Sequence, residues 1–170
     1  MRVWCCLFAG VLALSGSGCA GYKLGPVNGL AVGEKSVQVN PFLNETIQPN
    51  LGDAVTAQLR KQLQRDGTYK LATHNDGDIV LSGSITRYGR QEVSFSAEDV
   101  LTVRDYRLDL TAQVTAHHRS TGKVILDQPV KGTTLMRVTS DMTSAERQAL
   151  PLLATDLARN VTTLLAEGGW

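Results

Sequence analysis

The chain has 170 residues, with 17 Lys and Arg against 16 Asp and Glu, so its formal charge at neutral pH is only +1. That balance excludes the basic excess of a nucleic-acid-binding domain, and 42% hydrophobic with 19% charged residues is too apolar for a disordered chain. Aromatic residues at 5% are too few for the girdles of an outer-membrane barrel, and the length suits a single domain.

Arg2 is the only charge before Lys23, and Val3 to Leu14 is apolar. This segment has the length of a signal-peptide core and is too short to cross a bilayer, which takes about 20 residues as a helix. Ser15-Gly16-Ser17-Gly18 and then Cys19 follow. Cys5 and Cys6 lie inside the apolar segment, so cleavage before Cys19 leaves one cysteine and no internal disulfide. A lone thiol at a new N-terminus is intelligible as an attachment point. The arrangement resembles a bacterial lipoprotein leader, with residues 1–18 as signal peptide and Cys19 as the lipidated residue, although Gly16 stands where that pattern favours Leu. Ala20 replaces the Asp of the inner-membrane retention signal, which points to the periplasmic side of the outer membrane. Residues 19–35, with Gly21, Gly25, Gly29, Gly33 and Pro26, read as the lipidated cysteine and a tether.

A first strand is predicted over Ser36 to Phe42, where Val37 and Val39 alternate and Pro41 closes the run. From Asn50 the period changes: Leu51, Val55, Leu59 and Leu63 give the stripe of an amphipathic helix that stops at Asp66-Gly67. Tyr69 to Ala72 is a short second strand, parallel to the first because a helix crosses between them. His74 to Gly77 is a turn, and a third strand runs from Ile79 towards Tyr88, with Gly83 marking a bulge or a close backbone approach. The polar residues 89–104 extend a long hairpin. In the next strand Tyr106, Leu108, Leu110, Ala112, Val114 and Ala116 face one way, while Arg107, Asp109, Thr111, Gln113 and Thr115 face the other. Such a sheet buries one face and leaves the other polar. Residues 119–123 turn the chain into Val124 to Val130, where Pro129 indicates an edge position or a strand end.

The last element is a helix with capping-box spacing between Thr143 and Glu146, a stripe from Leu150 to Leu165, and a break or kink at Pro151. The predicted order is β-α-β-β-β-β-α. It makes an α+β two-layer sandwich, with a mostly antiparallel sheet of about four to five strands and two helices packed on one face, as one domain over residues 36–170.

Motifs that would carry chemistry are wanting. His117 and His118 are adjacent in a strand and point to opposite faces, so they cannot share a metal ion. Asn75-Asp76-Gly77-Asp78 has no bidentate Glu at the spacing of a calcium loop. Neither a G-x-S-x-G elbow, a phosphate-cradling glycine loop nor H-E-x-x-H occurs. The expectation is a protein that is not an enzyme and uses no cofactor or metal.

Several stretches taken together carry a resemblance: "CAGYKLG", "SVQVNPFLNETIQPNL", "LQRDGTYKL", "DIVLSGSITRYGRQ", "RDYRLDLTAQVTAHHRSTGKVILDQPVKGTT" and "ERQALPLLATDLARNVTTLL". They resemble the LPS-assembly lipoprotein LptE family over nearly the whole mature chain. The resemblance implies an α+β sandwich held by its lipid at the inner leaflet of the outer membrane. It further implies a plug inside the LptD β-barrel that assists barrel assembly and lipopolysaccharide insertion into the outer leaflet. Basic residues near the end of the central hairpin and near the last helix are implied to contact lipopolysaccharide, and the nearest here are Arg104 and Arg137. Their planar guanidinium groups match phosphate oxygens bidentately. The alternative is a periplasm-facing lipoprotein interaction module with a different protein partner.

Overall fold

The computed structural model describes residues 34–95, 103–138 and 141–168, so Cys19, the leader and the tether up to residue 33 lie outside the described residues. Eight elements follow in chain order: β1 (Ser36–Val39), β2 (Leu43–Asn44), α1 (Leu51–Asp66), β3 (Lys70–Ala72), β4 (Ile79–Phe95), β5 (Val103–His118), β6 (Val124–Arg137) and α2 (Met142–Glu167). The strands form one mixed sheet in the order β3-β1-β4-β5-β6, with β2 paired to β4. β1 runs parallel to β3, as the helical crossover requires, and also parallel to β4. The two long ladders, β4–β5 and β5–β6, are antiparallel.

The first predicted strand, Ser36 to Phe42, ends earlier, at Val39, and a further short strand, β2, follows just beyond it. Pro41 has no N–H for a ladder, and the following Phe42 N–H donates instead to the buried Thr56 Oγ1 at 2.9 Å. The extra strand raises the total to six. α1 begins after Asn50 and ends where Gly67 takes a left-handed conformation (φ 74°) and donates its N–H to Leu63 O, a helix stop that glycine adopts without steric cost.

On β5 the alternation holds: Leu108, Leu110, Ala112, Val114 and Ala116 are fully buried, and Tyr106 is half-buried. They join Leu51, Val55, Leu59 and Leu63 of α1 and Leu153, Leu157, Val161 and Leu165 of α2 in a single core. Gly83 is a site of close approach, since a Cβ there would lie 2.5 Å from the Phe42 ring and 2.6 Å from Gln113 O. A close helix-to-sheet approach is made at Gly132 on β6. A Cβ there would sit 2.7 Å from Leu157 N and 2.8 Å from Leu157 Cβ, so only glycine lets α2 lie this close to the sheet.

Three details differ from expectation. β6 continues to Arg137, because Val130, Gly132, Thr134 and Met136 keep the inward alternation although two of the four are not apolar. The cap of α2 is Asp141, whose carboxylate accepts from Thr143 N and Ser144 N. Glu146 is thus released from the capping box and bonds to the sheet. Finally, α2 runs unbroken across Pro151. That residue is exposed, so its ring displaces no core side chain, and Thr155 Oγ1 donates to the Pro151 carbonyl at 2.8 Å.

One-sided burial predicts unequal costs on neighbouring residues. Leu110→Ala should lower stability by about 2–5 kcal/mol through lost transfer energy and a residual cavity, and Thr111→Ala by less than about 1 kcal/mol. Urea unfolding checks this, and equal losses would contradict a one-faced sheet. Gly132→Ala adds a methyl group where no room exists, and overpacking of this kind costs about 1–3 kcal/mol. A neutral or stabilising result would show that α2 can move away from β6 freely.

Candidate functional site

Because both helices cover one face, the opposite face of β4, β5 and β6 is left to solvent, and strand register fixes what it presents. Arg87, Thr111 and Lys131 stand opposite one another across the three strands. Towards the hairpin end come Gly89, Asp109 and Thr133, and then Gln91, Arg107 and Leu135. Directly opposed side chains share a face at about 5 Å between Cβ atoms. Arg87, Lys131 and Arg107 therefore surround the one carboxylate of Asp109. Among the described residues none of these three cations makes an ion pair. Leu135, 66% exposed, lies directly opposite Arg107, and Phe95 at the hairpin end is 52% exposed. Charge and apolar surface adjoin here.

Asp105 and Arg137 are the last matched pair of the β5–β6 ladder, on this same face. Arg137 Nε donates to Asp105 Oδ1 at 2.7 Å, and Ser94 Oγ donates to Oδ2 at 2.6 Å. The Arg137 bond, reinforced by Ser94, holds the Asp105 carboxyl below its ordinary value of 3.8. Asp105 in turn raises the Arg137 guanidinium. Arg104 precedes Asp105 in the strand, so its side chain goes to the other face. It is exposed and has no ion pair among the described residues. The two arginines singled out from the sequence thus share one end of the sheet and stand on opposite faces. Arg87, Arg107 and Lys131 escaped the sequence reading, since nothing in a single strand tells which residues of β4 and β6 flank it.

On the helix side a clamp fastens the hairpin to α2. Tyr88 Oη donates to Glu146, and Arg90 Nη1 lies 3.4 Å from the second carboxylate oxygen. Burial, helped by the bond to Glu146, raises the Tyr88 phenol well above its usual value. At the opposite end of the sheet His117 stands opposite Val80 and His118 opposite Ile79, on different faces. Among the described residues no group of three or more His, Cys, Asp or Glu could hold a metal ion. No described helix is long and apolar enough to cross a membrane.

The fold and its surface define a one-cored α+β sandwich that offers a charged, partly apolar sheet face. The family model for lipopolysaccharide assembly, LptE, matches residues 34–165, and the chain belongs to that family of LPS-assembly lipoproteins. Among solved structures the fold is similar to the protein CT253 from Chlamydia trachomatis, at 10% identity, covering 82% of this chain and 98% of that one with a TM-score of 0.59. It is also similar to XCC0632 from Xanthomonas campestris (14% identity, 80% and 88% covered, TM-score 0.55). A minor lipoprotein from Acinetobacter baumannii shares the fold as well (17% identity, 78% and 92% covered, TM-score 0.52). At such identities these likenesses speak for the fold alone. Comparison with curated protein sequences yields no match.

A depressed carboxyl pKa has a definite sign. Whatever stability the Asp105–Arg137 pair contributes is fully present above the unfolded value near 3.8 and is lost as pH falls through the lower folded value. A carboxyl-detected NMR titration should place Asp105 below 3.8 in the wild type and closer to 3.8 in Arg137→Ala. A wild-type midpoint at or above 3.8 would contradict the ion pair in solution.

Proposed function

We propose that this chain is a non-catalytic partner of an LptD-type outer-membrane β-barrel, held at the periplasmic side of the outer membrane by lipid on Cys19. In that place it assists barrel assembly and the insertion of lipopolysaccharide into the outer leaflet. Family membership supports the setting. The observation that carries the reading is the helix-free sheet face, where Arg87, Arg107 and Lys131 are unpaired among the described residues and adjoin exposed Leu135. Lipopolysaccharide has the matching chemistry, phosphates beside acyl chains, and Arg binds phosphate through its planar fork. Arg104, without an ion pair among the described residues, adds a cation at the hairpin end, where it stands on the other face of the sheet. Arg137 takes part by sharing its guanidinium between Asp105 and a phosphate, since only its Nε is bonded to Asp105.

Three measurements test the parts separately. Metabolic labelling with a palmitate analogue should mark the wild type, and Cys19→Ala should lose both label and membrane retention; an equally labelled mutant removes the anchor. Purification from detergent-solubilised outer membranes should recover a large barrel protein, and recovery of some other protein alone would favour a different partner. Arg104→Ala with Arg137→Ala should weaken binding to lipopolysaccharide without lowering the melting temperature. The loss should shrink as salt rises, because exposed charge contacts are screened over about 8 Å at physiological ionic strength. Unchanged binding at low salt would exclude these two residues.

A further inference from the structure

β6 presents a long open edge of the described sheet; the other outer strand, β3, spans only Lys70–Ala72, and the far half of β4, beyond its pairing with β2 at Ile85, is a second open stretch. An open edge is a template on which a foreign strand can pair. In an antiparallel ladder the N–H and C=O of one residue point to the same side, and the side alternates along the strand. From Leu126 to Arg137 the register with β5 is unbroken, and Val138 N–H donates inward to Arg104 O. The odd-numbered residues 127 to 137 therefore turn their backbone groups outward.

Three successive outward positions are blunted. Pro129 has no N–H to offer. The Lys131 carbonyl accepts from Asn160 Nδ2 at 2.8 Å, and the Thr133 N–H donates to Asp156 Oδ2 at 2.9 Å. Asp156 and Asn160 are one turn apart on α2 and so project side by side. They reach the edge because Gly132, between the two bonded residues, lets the helix backbone lie against the strand at Leu157. Arg159 Nη1, 3.3 Å from Asp156 Oδ1, bonds to the oxygen that Thr133 does not use.

We propose that Pro129, Asn160 and Asp156 form a guard that closes the β6 edge to strand addition by a second copy of this chain. Each guarded position loses one of the two bonds it would give to an added strand, and two side chains lie across the line that strand would follow. This inference stands apart from the barrel reading: it holds whichever partner the sheet face binds.

Amide exchange and self-association of the full chain in detergent test it. In the wild type, Thr133 N–H should exchange at least about tenfold more slowly than Leu135 N–H, which also points outward but has no side-chain acceptor among the described residues. Asp156→Ala should abolish that difference, and Asp156→Asn, which retains an acceptor oxygen, should preserve most of it. Asp156→Ala with Asn160→Ala should associate with rising concentration in sedimentation velocity, and more so with Pro129→Thr added, while the wild type and Asp156→Asn stay monomeric. A folded double mutant that stays monomeric at every concentration would overturn the guard. Should the double mutant fail to fold, the wild-type exchange rates decide: Thr133 as fast as Leu135 overturns it, and Thr133 protected supports it.

Discussion

The approach of α2 to β6 at Gly132 is the constraint on which the rest of the molecule depends. With Leu157 N only 2.7 Å from where a Cβ would stand, the helix rests on strand backbone and not on a layer of side chains. Large residues on either side, Leu153 and Val161, are consequently carried into the same core as the β5 stripe. The same seating brings Asp156 and Asn160 to the sheet edge. At its N-terminal end α2 meets the hairpin through Glu146, Tyr88 and Arg90. One small residue therefore coordinates packing, edge and hairpin.

Burial confined to one face has a functional consequence. Charged groups on the helix-free face remain in water, where holding several cations near each other costs little because the dielectric is high. The face can therefore keep Arg87, Arg107 and Lys131 available beside one Asp109, whereas Arg90, on the helix side, lies against Glu146. Membership in the LptE lipopolysaccharide-assembly family is consistent with a surface whose work is contact and not bond-making.

Much of this fold is legible in the sequence wherever side chains alone decide the outcome. Leu108 to Ala116 alternate without a fault, and Leu51 to Leu63 recur every fourth residue, so both elements and their buried faces follow from period. Asp66-Gly67 stops α1 because glycine takes the left-handed conformation readily. The features that escape are those set by backbone contacts between distant segments. β6 runs past Val130 through Gly132 and Thr134, residues with no hydrophobic signal, and Gly132 is needed for its smallness. Glu146 has the spacing of a capping box but is drawn to Tyr88, 58 positions earlier in the chain. The cation cluster is divided among three strands, so its members stand well apart in sequence. Arg137 is legible as a basic residue ahead of the last helix, but its bond to Asp105 depends on a register that only the folded sheet supplies.

The central claim is that the helix-free sheet face and the hairpin end, and not the outer surface of the helices, meet lipopolysaccharide. Photo-crosslinking from single positions in intact cells tests this most directly. A photoreactive residue at Thr111, in the middle of that face, should yield a lipopolysaccharide adduct. One at Lys61, on the exposed side of α1, should yield none. Adducts from Lys61 with none from Thr111 would contradict the account.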